Sequence, residues 1–465
     1  MKTPGLLFTS IILALLSCRK DSFITSADAS LVISADTLKF DTLFTTTGSV
    51  TQTFKIINSN SRKLRLSSIK LSGGATSNYK INADGFAGPE INDLVLEAND
   101  STYIFVNVTI NPGVGNLPFI IRDSIQINFN GNTEFVQLEA WGRNAHFYRN
   151  KIVSTDEIWV NDLPYVILGP MKIEAGKKLT IEKGCRIYLH ADAPVIVDGT
   201  LQVNGEKDSA DRVYFQGDRL DDPYKNFPAS WPGIFFQNSS TDNVISFAVI
   251  KNAYQALALQ EPSTNSNPKL TLNQCIIDNA YDAGIVAVNS SITAANCLIS
   301  NCGKNLLLVQ GGNYRFDHCT VAAYSNSFIL HKDPVLLLSN FITVNNIPVT
   351  ADLNAVFRNC IFWGENGTVE DEVVVAKSGN TLFNVNFDHN LWKVINTPAH
   401  VTMNQIINNQ PPLFDSVNIA KRFYSFRLKD GSPAVHAGIG SPVTIDLDGN
   451  PRPVGLPDLG CFEKQ

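Results

Sequence analysis

From residue 29 onward the chain consists of short runs in which apolar and polar residues alternate, each closed by turn residues. Period-two alternation of this kind predicts half-buried strands. The first set includes Leu38-Lys39-Phe40, Phe54-Lys55-Ile56, Leu64-Arg65-Leu66 and Tyr103-Ile104-Phe105-Val106-Asn107-Val108. It continues with Ser124-Ile125-Gln126-Ile127-Asn128-Phe129 and Phe135-Val136-Gln137-Leu138, separated by Asn130-Gly131, a two-residue hairpin signal. About seven or eight such strands in some 120 residues predict a β-sandwich over 29–147.

Beyond it the pattern becomes a repeat. Cys275, Cys297 and Cys319 are 22 residues apart, as are Ile277, Ile299 and Val321, and again Ile285, Leu307 and Ile329. One such period is one turn of a parallel β-helix, whose coils stack about 4.8 Å apart. Upstream, Ala248–Asn252 matches the Cys275 coil with five extra residues, and Leu179 and Leu201 keep the spacing of 22. Downstream, Asn359-Cys360-Ile361-Phe362 re-enters the pattern. Roughly nine to twelve coils are expected over 148–465, the last part, from about 411, forming a C-terminal cap.

The repeat also reinterprets residues that suggest chemistry. Stacked side chains stand near the coil spacing, wider than the roughly 3.5 to 4.5 Å between Cβ atoms of a disulfide. Cys275, Cys297 and Cys319 therefore read as a buried thiol stack, and Cys297 with Cys302 lacks partners for a metal site. Asn252, Asn279 and Asn301 fall at matching turns and read as an asparagine ladder. No polar residue recurs conspicuously at one coil position between 245 and 365.

Composition adds exclusions. Charged residues are 17%, the net charge is −6, and 27 Phe accompany only 3 Met. Neither charge figure favours nucleic acid, which calls for a clustered basic surface. No long stretch has helical periodicity, so the chain is expected to be all-β. At the start, Met1-Lys2, an apolar run from Leu6 to Leu16 and Ser17-Cys18 make a secretory signal, 1–17, too short to span a bilayer. Residues 18–28 would be anchor and tether.

Leu15-Leu16-Ser17-Cys18 resembles the lipobox of bacterial lipoproteins, which implies acylation of Cys18, a lipid membrane as partner, and residence in the cell envelope at the outer membrane, facing the periplasm or the exterior. The 29–147 pattern resembles the immunoglobulin-like spacer domains of envelope proteins. Ile173-Glu174-Ala175-Gly176 through Glu182-Lys183-Gly184, then Val197-Asp198-Gly199-Thr200-Leu201, resemble the first coils of right-handed β-helix lipoproteins. Phe426–Ala434, Asp446–Pro453 and Pro457–Glu463 are similar to the closing segment of the choice-of-anchor Q group, related to pectin-lyase-like β-helices. Its usual Gly-Ala-Tyr-Glu finish is Gly460-Cys461-Phe462-Glu463 here. Arg452 and Asp458 are expected to be structural.

A pectin-lyase-like enzyme needs a Lys or Arg base near a cation-binding carboxylate cluster, or paired carboxylates for hydrolysis. The candidate ligand-binding loop is 216–232, with Asp218, Arg219, Asp221, Asp222, Tyr224 and Trp231. Asp218, Asp221 and Asp222 are candidate Ca²⁺ ligands, no other cofactor is implied, and Tyr224, Phe227 and Trp231 are candidates to stack on a sugar. The other reading of this loop is a solvated excursion whose aromatics cover the helix. Asp446-Leu447-Asp448-Gly449-Asn450 reads as a turn, and His190 and His318 as packed or surface residues. Two functions follow. One is a non-catalytic envelope protein binding polysaccharide or envelope proteins, with no catalytic residues. The other is a polysaccharide lyase or hydrolase on the same scaffold.

Overall fold

The structure, a computed structural model, describes residues 22–44, 51–109 and 119–465; Cys18 and the leader lie outside them. The described residues are strands and loops, with two one-turn 3-10 segments, Gly74–Thr76 and Tyr224–Asn226. None of its helices is long and apolar enough to cross a membrane. The chain divides into two units between Asn144 and Ala145.

The first unit holds β1 (Leu31–Ile33), β2 (Thr37–Phe44), β3 (Gln52–Asn58), β4 (Leu64–Leu71) and β5 (Tyr79–Ala83). They are followed by β6 (Phe86–Gly88), β7 (Glu90–Leu96), β8 (Ser101–Val108), β9 (Phe119–Phe129) and β10 (Asn132–Arg143). Two five-stranded sheets result, β1-β3-β8-β5-β6 and β2-β10-β9-β4-β7. Their strand pairings are antiparallel except β2–β10, where Leu38 lies opposite Leu138 in a parallel ladder. Alternation decides which side chains face inward: Phe54, Ile56, Ile104 and Val106 of one sheet share a core with Leu66, Ile69, Ile127 and Leu138 of the other. Asn130 and Gly131 take φ of 46° and 83°, the left-handed pair that a two-residue hairpin needs.

The second unit is a parallel-sheet solenoid of 26 strands. In its first half each strand pairs with the third one after it, so three strands complete a coil. One column runs His146, Tyr165, Ile187, Phe215, Ile250, Ile277, Ile299, Val321, Phe362, Trp392 and Asn408, and from Tyr165 to Trp392 its side chains form the core. The turn before the next column repeats as Phe247, Gln274, Asn296, His318, Asn359 and His389, all left-handed with φ of 47° to 55°.

The 22-residue ladders of Cys275 and Ile277 hold. The third does not. Ile285 lies opposite Leu306, not Leu307, and Leu306 then pairs with Leu336. That stretch is one residue short, and a bulge after Val288, with left-handed Gln310 and Gly311, restores the register. Ile329 falls in an excursion between strands.

All seven described cysteines are free and buried. Cys275, Cys297, Cys319 and Cys360 contact one another thiol to thiol along the stack, and burial pushes Cys275, Cys297 and Cys319 well above the ordinary thiol range. Val213 and Ala248 occupy the same column, with Cys185 next to Arg186, the partner of Tyr214.

The segment after 411, expected to cap the end, instead lies along the flank. Phe414, Phe426, Leu428, Leu447, Leu459 and Phe462 pack on Leu298, Ala322, Tyr324, Ile361, Trp363 and Leu391, side chains of successive coils. The cause is visible in the runs Leu298-Ile299, Ile361-Phe362-Trp363 and Leu391-Trp392. Alternation fails there, because both faces of those strands are apolar and both must be covered. Arg452 and Asp458 secure the segment. Arg452 donates to Asn296 Oδ1 and Gly460 O and pairs with Glu463, each at 3.0 Å. Asp458 accepts the amides of His436 and Lys464 at 2.7 Å.

Candidate functional site

The 216–232 loop does not gather its charges. Asp218 Oδ2 meets His190 Nδ1 at 2.7 Å, and burial raises its carboxyl against that contact. Arg219 donates to both oxygens of Asp221, at 2.7 and 2.8 Å, and lies 3.8 Å from the centre of the Tyr224 ring. Asp222 pairs with Lys225 at 2.8 Å. Each of the three aspartates thus faces a different partner. Among the described residues no three His, Cys, Asp or Glu side chains form a group able to hold a metal. Trp231 corrects the sequence reading: it is 1% exposed and its indole donates to Lys251 O at 2.9 Å, so it offers no face to a sugar. Phe227 packs between Tyr224 and Phe328. The Asp446 carboxylate takes the amides of Asp448, Asn450 and Glu463, which makes 446–450 a turn as expected.

What the loop does is form one wall of a polar cleft. Its carbonyls accept from the turn ladder: Asn252 Nδ2 donates to Lys225 O at 2.9 Å, and Asn279 Nδ2 donates to Asn226 O at 3.1 Å and to Asn252 Oδ1 at 2.8 Å. Asn301 breaks the expected ladder, turning to Asp278 Oδ1 instead. All three asparagines are left-handed, with φ of 62°, 58° and 52°, a conformation asparagine tolerates better than most residues. The opposite wall is the flank segment, which brings Lys421, Arg422 and Tyr424. Arg422 donates to Asn226 O at 3.0 Å and covers the Phe328 ring at 4.7 Å. The enclosed volume is about 200 Å³.

The floor is Asp278. Burial raises its carboxyl above the usual range, while Ser300 and Asn301, donating to it, and the charges of Arg422 and Lys251 pull it back. Arg422 is itself lowered by burial. Three buried polar atoms around the cleft have no hydrogen-bond partner: Asn279 Oδ1, Arg422 Nε and the Tyr424 hydroxyl. Leaving such groups unpaired costs about 1 to 3 kcal/mol each, so water or another group carrying both donors and acceptors is favoured there. Its volume holds more than one water, at roughly 30 Å³ each, and falls below the roughly 300 Å³ of pockets for drug-sized ligands. One small polyhydroxylated unit fits those limits.

Sequence reading passed over this site for two reasons. Lys251, Asp278 and Ser300 do share one coil position, but their types differ, so no recurrence shows. Arg422 and Tyr424 come from the flank segment, which carries no signal of where it lies.

No protein-family model and no curated protein matches the sequence. Among solved structures, the chain has a likeness to a family 123 glycoside hydrolase from Clostridium perfringens. The two are 12% identical over 28% of this chain and 30% of that one, with a TM-score of 0.20. A PapD-like domain of human CEP192 is 9% identical over 27% of this chain and 92% of its own, with a TM-score of 0.17. The E. coli chaperone DraB is 10% identical over 25% and 55%, with a TM-score of 0.18. The chain spans less than a third of the hydrolase's length. Likenesses of this size carry no argument about fold or function.

Proposed function

We propose that this is a lipid-anchored cell-envelope protein, acylated at Cys18, that binds saccharide without cleaving it. In this reading an immunoglobulin-like domain spaces a right-handed parallel β-helix of the choice-of-anchor Q type from the membrane. The parallel β2–β10 pairing against an otherwise antiparallel pair of sheets supports the first assignment. The coil-by-coil ladders support the second. The observation that carries the binding role is the cleft that Asn226, Asp278 and Arg422 line, with unpaired buried donors and acceptors around it. The second reading, a polysaccharide lyase or hydrolase, has one support: Asp278, raised by burial, stands near Arg422 and Lys251. Hydrolysis calls for two carboxyl groups, and Asp278 is the single one lining the cleft.

A glycan array probed with the full-length protein in detergent tests this. Selective binding is expected, weakened at least tenfold in Arg422→Ala. An array with no bound glycan sinks the proposal. New ultraviolet absorbance from unsaturated ends on polyuronate, lost in Asp278→Asn, replaces it with the lyase.

A further inference from the structure

The turns that carry the asparagines continue into a second feature. After Asn252-Ala253, Asn279-Ala280 and Asn301-Cys302 come Tyr254, Tyr281 and Gly303. Parallel hydrogen bonds hold this position in register: Tyr281 N donates to Ala253 O at 2.9 Å, and Gly303 N donates to Ala280 O at 3.0 Å. The two tyrosines are 47% and 51% exposed and stack with centroids 5.9 Å apart and planes 29° apart. Exposed aromatic rings are common enough singly, but here two are fixed by the ladder, and the column then loses its side chain. A Cβ at Gly303 would collide with the carbonyls of Tyr281 and Asp282, so this coil can close only on glycine. The stack therefore ends at Tyr281, beside which the next coil presents only glycine backbone, and this step is the notch.

The next position along the chain lines the notch with fixed polar groups. Gln255 Nε2 donates to Asp282 Oδ2 at 2.7 Å, and Lys304 Nζ donates to Asp282 Oδ1 at 2.9 Å. An aromatic face beside a rigid donor and acceptor pair matches a pyranose ring, whose C–H face is apolar and whose rim is hydroxyl. We propose that Tyr254, Tyr281 and Gly303 form a second saccharide subsite, stacking one sugar of a chain on Tyr281 with Asp282 and Lys304 at its hydroxyls. The inference rests on the saccharide-binding reading above. Asn252, Asn279 and Asn301, which line the cleft, stand two residues before Tyr254, Tyr281 and Gly303 on the same turns.

Affinity electrophoresis of the full-length protein in non-ionic detergent tests it, in gels containing hydroxyethylcellulose, xylan, mannan, alginate or polygalacturonate. Retardation by at least one of them is expected, reduced tenfold or more in Tyr281→Ala and kept in Tyr281→Phe, with unchanged thermal midpoints. If Tyr281→Ala migrates like wild type while Arg422→Ala loses its retardation, the notch is not a subsite and the cleft stands. If no gel retards wild type, both fall together. Retardation lost in Tyr281→Ala but untouched in Arg422→Ala keeps the notch and removes the cleft.

Discussion

At the scale of single residues, the cysteines behave as small apolar side chains. Cys275, Cys297, Cys319 and Cys360 share their column with Val213 and Ala248 and are fully buried. A hydroxyl in place of one thiol buries a stronger polar group, costing roughly 1 to 3 kcal/mol. Cys297→Ser is expected to lower the thermal midpoint and Cys297→Val to alter it less. The seven described thiols should react with Ellman's reagent only after denaturant is added. Rapid labelling of the native protein would show that the column is open.

The residue before each of Cys275, Cys297, Cys319 and Cys360 is left-handed, and before Cys319 it is His318. Its ring meets Asp458 O at 3.2 Å, Ser441 Oγ at 3.0 Å and Asn359 Nδ2 at 2.9 Å, so it ties a coil to the flank segment. Burial lowers its pKa to about 2, helped by the charges of Arg452 and Arg358, while its contact with Asp458 opposes the shift. The folded state therefore needs the neutral ring. The unfolded chain binds the extra proton below the ordinary imidazole value of 6.5, so stability is full above that pH. Below it, up to about 1.4 kcal/mol is lost per pH unit. His318→Asn, matching Asn296 and Asn359 at the same turn, is expected to flatten the fall in thermal midpoint between pH 7 and pH 5. An equally steep fall in the variant would mean that other groups set the acid limb.

At the scale of elements, legibility followed periodicity. Where a strand has one face inward, as at Phe54-Lys55-Ile56 or Leu179-Thr180-Ile181, alternation fixes both its existence and its orientation. Where spacing is a strict 22, coil register follows from counting. Counting failed at Ile285, because a bulge can remove and return a residue without disturbing composition. It also failed at Leu298-Ile299 and Ile361-Phe362-Trp363, which name a covered face but not what covers it. The candidate site inherits that limit. Its ladder half was visible as Asn252, Asn279 and Asn301, and its other half, Arg422 and Tyr424, depends on a tertiary contact. The 216–232 loop was located as a place of interest, yet its aspartates are engaged singly and its contribution to the cleft is backbone carbonyls.

At the scale of the whole molecule, the proposed anchor rests on Cys18. Two or three acyl chains suffice to hold a protein on a membrane, whereas one gives only marginal binding. Cells fed labelled palmitate should mark the wild-type protein and leave Cys18→Ala unmarked, and an unmarked wild type would remove the lipoprotein assignment. The flank segment has a wider consequence. Solenoids usually behave as one-dimensional arrays in which each coil answers only to its neighbours. Here Arg212, early in the array, donates to Leu447 O and Gln274 O, while Leu391, near its end, packs in the same flank cluster as Leu447 and Phe462. One strap thus links distant coils, so the array gains the all-or-none character of a closed domain. It also orders assembly in time: the coils are synthesised first, and their apolar flank stays uncovered until residues 414–462 follow.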